Sequence, residues 1–300
     1  MRKAFSDEIY SAHQRDENVK LVTGDLGFGL FNDFLDNKDF LINAGIAEAS
    51  LVGLCSGLAL AGKKPFAYSI APFLTLRAFE QIKLDIAFPN LPVCIVGVGA
   101  GVDYNHAGET HYSLEDLALM LQLPNFEIFS PATRNELKEC LDLILTSNNP
   151  SYLRLANRKC CEDFVRAPNI VKSEFKYFQN SGKSLVISSG PRSNELLENI
   201  LEQNLNVDLL HVLNFNLNQL EIISIINNYG KVAIVEDQFN TSGLSMLIPQ
   251  LALSDNLKCR LRSFSFDKKY IHKFGDYEYL CSEYGSSNLD ALNWLAFSRS

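Results

Sequence analysis

The chain has 300 residues, a net charge of −8 and a composition that is 47% hydrophobic and 21% charged, an ordinary globular profile with room for one large or two medium domains. The acidic balance argues against a nucleic-acid binder, whose electrostatic footprint is basic, and no apolar run is long enough to span a bilayer. Seven cysteines without a CxxC pair, and no signal-peptide core in the first twenty residues, lead to the expectation of a cytoplasmic protein with reduced thiols.

The first half alternates helices and strands. The spacing predicts a helix over 2–16, a short strand over 21–23 running into Gly24-Asp25-Leu26-Gly27, a second strand over 40–42 and a helix over 47–60. After a break at Lys63-Lys64-Pro65 come a strand over 66–70 and a helix over 74–87. Asn90-Leu91-Pro92 precedes an apolar strand over 93–98, and a polar, glycine-rich loop over 99–113 follows. A helix over 114–121, a strand over 126–129, a helix over 133–147 and a strand over 151–155 complete this half. Residues 156–182 are polar and irregular and read as a linker. The rhythm then restarts, with strands over 185–188, 207–211, 232–235 and 258–263 and helices over 192–203, 218–228, 243–253 and 287–297. Continuous apolar strands between helices indicate parallel sheets covered on both faces. The expected class is α/β, with two doubly wound, mainly parallel-sheet domains at 1–160 and 183–300 joined by a linker over 161–182.

Ligands of open parallel sheets sit beyond the carboxyl ends of the strands, which directs attention to the loops at 24–29, 71–73 and 99–113. The last holds His106 and His111. A dinucleotide site at Gly97 and Gly99 fails because Val102 stands where the third glycine belongs. A metal site at His106 and His111 with Asp103 or Glu109 uses suitable donors, but a glycine-rich loop makes a poor cage, and polar side chains bonded to backbone are the better reading. His111 is equally an acid–base group or a structural one. Glu48 is the only residue ionised at neutral pH between 40 and 62. A buried, unpaired carboxylate is costly, so either Glu48 sits at a wet helix start favoured by the helix dipole or its proton is used.

Several segments, in this order, carry a family resemblance: "GDLG" at 24–27, "INAGIAE" at 42–48, "GLALAGKKPF" at 57–66, "FLTLRAFEQIKLDIAF" at 73–88, "NLPVCIVG" at 90–97, "GETH" at 108–111 and "EDLALMLQLPNFEIFSPAT" at 115–133. Together they resemble the pyrimidine-binding and C-terminal domains of transketolases, enzymes that use thiamine diphosphate. The resemblance implies that Glu48 contacts the aminopyrimidine ring and shares a proton with it. It places Phe73 on the ring face, with Leu76 and Phe79 completing an apolar wall whose alternative is core packing. Arg77 becomes a substrate residue or a surface salt bridge, and His111 an active-site histidine. The family's Gly-Asp-Gly with a later Asn, which holds Mg²⁺ and the diphosphate, has no counterpart here. A partner subunit is therefore expected to supply it, in an α2β2 heterotetramer.

The implied activity is transfer of a two-carbon ketol unit between sugars. The alternative is a carboligase or decarboxylating synthase joining a 2-oxo acid to an aldehyde or keto-sugar. Departures gather at the substrate end. Gly99 replaces a histidine, and Ala107 replaces an aspartate, with His106 beside it as a candidate substitute. Asn157 replaces an arginine that holds sugar phosphates, with Arg158 next to it. Ala49 and Tyr112 stand where the family has glutamines, and Glu236-Asp237-Gln238 stands for its Glu-x-His. Losing a charge-assisted hydrogen bond changes specificity strongly, so the expected substrate is a sugar other than the common pentose phosphates. The second domain is expected to serve assembly, with His211 and His272 structural.

Overall fold

The computed structural model describes residues 1–180, 182–252 and 257–297. Its first sheet contains β1 (Val19–Thr23), β2 (Leu41–Asn43), β3 (Lys64–Ile70), β4 (Cys94–Val98), β5 (Glu127–Phe129) and β6 (Ser151–Leu155). They lie in the order β2-β1-β3-β4-β6-β5, every pair parallel. Around them run α1 (Arg2–Arg15), α2 (Glu48–Leu60), α3 (Ala71–Thr75), α4 (Phe79–Gln81), α5 (Asp116–Met120) and α6 (Arg134–Thr146). Strand β4 is buried at every residue, which is why its sequence is an unbroken apolar run. Helix α6 starts where Thr133 accepts from the Glu136 backbone N–H, while the Glu136 carboxylate takes the N–H of Ala132, a local start signal of the capping kind.

The second sheet has β7 (Ile170–Val171), β8 (Phe175–Phe178), β9 (Ser184–Ser189), β10 (Val207–Val212), β11 (Lys231–Phe239) and β12 (Arg260–Phe266), in the order β12-β11-β9-β10-β8-β7. Four strands are parallel, and β8 and β7 close one edge antiparallel. Its helices are α7 (Arg192–Glu202), α8 (Gln219–Ile226), α9 (Gly243–Ala252), α10 (Tyr277–Glu283) and α11 (Asn288–Phe297). Among the described residues no helix is long and apolar enough to cross a membrane.

Three expectations need correction. The stretch read as a linker carries β7 and β8, and all four residues of β8 are buried. Lys176 interrupts its apolar pattern, but Glu136 at 3.2 Å and Glu139 at 3.0 Å, both from α6, neutralise the amine. The helix expected over 74–87 is instead α3, a turn at 76–78, α4 and a wide turn of π type over Ile82–Ala87. Helix α10 is absent from the expected elements; Asp276 caps it by accepting from the Tyr279 N–H. Residue 253, the last of one predicted helix, lies outside the described residues.

The two sheets share an interior. One apolar cluster runs from Val22, Leu51 and Ile95 to Leu185, Leu210 and Ile234. Backbone bonds stitch β5 to the chain after β10: Ser130 N–H to Leu213 O and Phe215 N–H to Ile128 O, both 2.9 Å. Buried polar groups reinforce the seam. His211 lies between Ser193 Oγ at 2.7 Å and Glu136 at 3.2 Å. Asp116 accepts from Tyr152, Arg154 and, across the seam, Gln238 at 2.6 Å.

Glu236, near the end of β11, accepts from the N–H groups of Leu244 and Ser245 at the start of α9. Burial pushes its carboxyl up to about 7 despite those donors. Folded Glu236 keeps its proton to about pH 7, whereas the ordinary value is 4.5, so its contribution falls as pH rises between the two. Glu136 and Asp237 act oppositely. Burial alone would raise both, but His211 beside Glu136 and Arg192 beside Asp237 hold them at about 2, so their stabilisation is lost only as pH falls through the acid range. Urea unfolding of the parent chain and Glu236→Gln at pH 5 and pH 7 should differ: the substitution removes the loss between those values, on the order of 2–3 kcal/mol.

Candidate active site

From β1 the chain passes to β2 on one side and β3 on the other, the reversal of strand order at which open sheets place ligands. Three residues meet there. Glu48 opens α2, is 1% exposed, and projects under the end of β3. Ser69 Oγ donates to its Oε1 at 3.2 Å, and Arg77 Nη1 donates to its Oε2 at 2.6 Å. Gly24, after β1, leaves the space: a Cβ there would lie 3.3 Å from Ser69 Oγ and 3.5 Å from Glu48 Oε1. Glu48 is thus buried, at a helix start, and paired. The Arg77 side chain is 52% exposed, so one oxygen of the carboxylate is anchored inside and the other is covered by a group that reaches the surface.

A continuous set of rings extends from this pair. The Arg77 guanidinium lies 4.6 Å from the Phe73 ring centroid, and Phe73 meets His111 edge-on at 5.1 Å. Tyr104 flanks His111 at 6.0 Å and His106 at 6.2 Å. His111 Nδ1 is 2.9 Å from Thr110 Oγ1. Desolvation, and next the neighbouring His106, lower the pKa of His111 from its ordinary value, which favours the neutral ring that accepts protons near pH 7. Leu76 is half-exposed where α3 ends. Phe79 packs against the core and lines a separate cavity with Lys83, Phe88 and Leu123.

Of the expected substrate residues, Arg77 makes the salt bridge that was its alternative, and Arg158 faces the interior. Arg77 engages Glu48. Arg158 turns inward, with Asp103 at 2.7 Å, Glu195 at 2.9 Å, Asp237 at 2.9 Å and the Tyr277 ring centroid at 3.8 Å. It follows β6 into the seam, where three carboxylates need a cation more than solvent does. Asn157 has a cation beside it from elsewhere: Arg2 Nη1 donates to Asn157 Oδ1 at 3.1 Å, and Arg2 Nε to Tyr68 at 3.2 Å. Nothing in the sequence near Asn157 signals Arg2. Nor does any pattern mark Ser69, one serine in an apolar strand.

The donors and shapes fit the pyrimidine half of thiamine diphosphate: a buried carboxylate whose one oxygen is reached by a half-exposed guanidinium, an aromatic face beside it, and a glycine that leaves room. Among the described residues no group of three His, Cys, Asp or Glu is placed to hold a metal ion.

Comparison with known proteins gives the family. The transketolase pyrimidine-binding domain family matches residues 1–161. An apulose-4-phosphate transketolase subunit of Actinobacillus succinogenes is 30% identical over 217 residues, covering 71% of this chain and 70% of that protein. A 6-deoxy-6-sulfo-D-fructose transketolase subunit from a Clostridium species is 26% identical over 219 residues, 71% of this chain and 67% of that one. A solved structure described as a split gene transketolase, inactive beta4 tetramer, is similar with a TM-score of 0.82. It covers 98% of this chain and 96% of that one at 23% identity, a likeness of fold.

Removing the cation from the Arg158 cluster leaves buried carboxylates uncompensated. Arg158→Met should lower unfolding free energy by about 3–5 kcal/mol, read as an earlier urea midpoint with an unchanged slope.

Proposed function

The chain belongs to the transketolase pyrimidine-binding domain family, and we propose that it is one subunit of a split, thiamine diphosphate-dependent transketolase that moves a two-carbon ketol unit onto a non-standard sugar. The observation that carries this reading is Glu48, a buried carboxylate held by Ser69 on one oxygen and by the half-exposed Arg77 on the other. When bound, the cofactor supplies the carbanion chemistry, and the protein supplies orientation and proton handling. Glu48 holds a proton against the pyrimidine ring, Phe73 supports the ring face, and Leu76 borders it. His111, kept largely neutral, takes or returns a proton at the substrate oxygen.

The missing half comes from a second subunit, which provides the diphosphate-binding residues and Mg²⁺ in an α2β2 assembly. The exposed face of α2 supports such docking: Ala49, Ser50, Gly53, Leu54, Gly57 and Leu60 carry no charge. Ile46, 76% exposed, directly precedes the helix. An uncharged patch of this kind suits a subunit interface. In this reading the first unit ends near residue 160, and the segment expected as a linker over 161–182 gives β7 and β8 to the second unit.

The substrate end favours an anionic sugar read without the usual aspartate. Arg2 stands at Asn157 in place of the expected arginine, and exposed His106 stands beside Ala107. Two relatives whose names specify a phosphorylated and a sulfonated sugar fit the same pattern.

Reconstitution with a diphosphate-binding subunit tests the reading. Glu48→Gln should lower turnover with hydroxypyruvate at least 10²-fold; unchanged turnover would sink it. Carbon dioxide release from pyruvate would instead identify a decarboxylating synthase. Arg2→Met should raise the KM for apulose 4-phosphate, the sugar in one relative's name, about 10- to 100-fold, the worth of a hydrogen bond to a charged group. It should leave the unphosphorylated sugar unaffected.

A further inference from the structure

The loop over 99–113 needs outside support. Gly99, Gly101 and Gly108 all have positive φ, and glycines forgo more chain entropy on ordering than other residues. Gly101 and Ser113 pair across its base, with Ser113 N–H to Gly101 O at 2.8 Å. Inside that base, elements of the second sheet grip the loop at two points.

The first grip is ionic. Asp103 is fully buried, 2.7 Å from Arg158 Nε, and its other oxygen accepts from the Asn157 N–H at 2.6 Å. Arg158 is held in turn by Asp237 of β11, Glu195 of α7 and the Tyr277 ring of α10. Arg192 also bonds Asp237. The fit is close: a Cβ on Gly101 would lie 2.5 Å from Asp237 Cβ. The second grip comes from the strap between β12 and α10. Ile271 N–H donates to Glu109 Oε2 at 3.1 Å, and a Cβ on Gly108 would lie 3.2 Å from the Phe274 ring. Val102, Tyr112 and Leu114 share an apolar cluster with Phe266, Ile271 and Tyr284.

Tyr104 and His106 lie between the two grips, and His111 lies just beyond the second. We propose that the second sheet is part of the active site: Arg158, acting through Asp103, is the positioning residue that fixes His106 and His111 relative to Phe73 and Glu48. The proposal rests on the function given above and assigns the second unit a role beyond assembly. Geometry at this level matters, because a displacement of about 1 Å at a reacting group can cost on the order of 10²-fold in rate.

Titration of His111 by proton NMR in the full chain tests this without cofactor or partner, its signal identified by loss in His111→Gln. The groups around the ring are His106, Thr110, Phe73 and Tyr104. Asp103→Asn should loosen the loop, rehydrate the ring and raise its midpoint toward the ordinary value of 6.5. Glu109→Ala, at the less buried grip, should shift it in the same direction and covers the case that Asp103→Asn does not fold. Arg158→Lys, which keeps the charge but not the fork, should give an intermediate midpoint. In the reconstituted complex, the acid limb of kcat/KM should move with the NMR midpoint. The KM for hydroxypyruvate should rise about tenfold, while thiamine diphosphate affinity, measured by fluorescence quenching, stays within twofold. A His111 midpoint unchanged in a folded variant overturns the proposal. So does a loss of cofactor affinity parallel to the rise in KM. If Glu48→Gln keeps full turnover, the function fails, yet the NMR titration still decides the clamp.

Discussion

A carboxylate removed from water must find a cation or several donors, and this chain removes many at once. Glu48 takes Ser69 and Arg77, Asp116 takes Tyr152, Arg154 and Gln238, Glu136 takes His211 and Lys176, and Asp237 takes Arg158 and Arg192. Most of these partners come from a different element, often from the other sheet. Pairing of buried charge therefore does what the apolar core alone does not: it fixes one orientation of the sheets. Apolar surfaces slide at small cost, whereas a buried ion pair pulled apart costs several kcal/mol.

The same constraint divides the arginines. Arg158, among three acids, and Arg192, held by Asp237 and by neutral groups such as Asn288 and Ser286, serve the seam, while Arg77 and Arg2 remain at the carboxyl edge of the first sheet, where substrate would arrive. Glu48 stands between these regimes. Its inner oxygen is fixed by a neutral hydroxyl, and its outer oxygen meets a half-exposed guanidinium. That asymmetry gives a carboxyl group a defined direction, a requirement for moving a proton at a fixed point.

Glu236 is the exception among the buried acids. The first N–H groups of α9 meet it, and its neighbour Asp237 absorbs the nearby cations. A group so placed favours its neutral form. Two residues on, Gln238 bonds to Asp116, so a neutral amide makes the crossing between sheets.

The sequence by itself determined the parallel strands of both sheets, because strands buried on both faces read as apolar runs. It determined Glu48 as the residue of interest, because one charge in an apolar helix is conspicuous whatever surrounds it. Motif order, including "GETH", placed His111 and Phe73 on the same edge. Tertiary structure alone decided the partners. Strand β8 was hidden because Lys176 is tolerable only beside acids from α6. Ser69, Arg2 and the inward turn of Arg158 were hidden because each depends on which distant group stands opposite. Periodicity reports what a residue's own element needs, whereas charge compensation and loop support are settled between elements that meet only when the chain has folded.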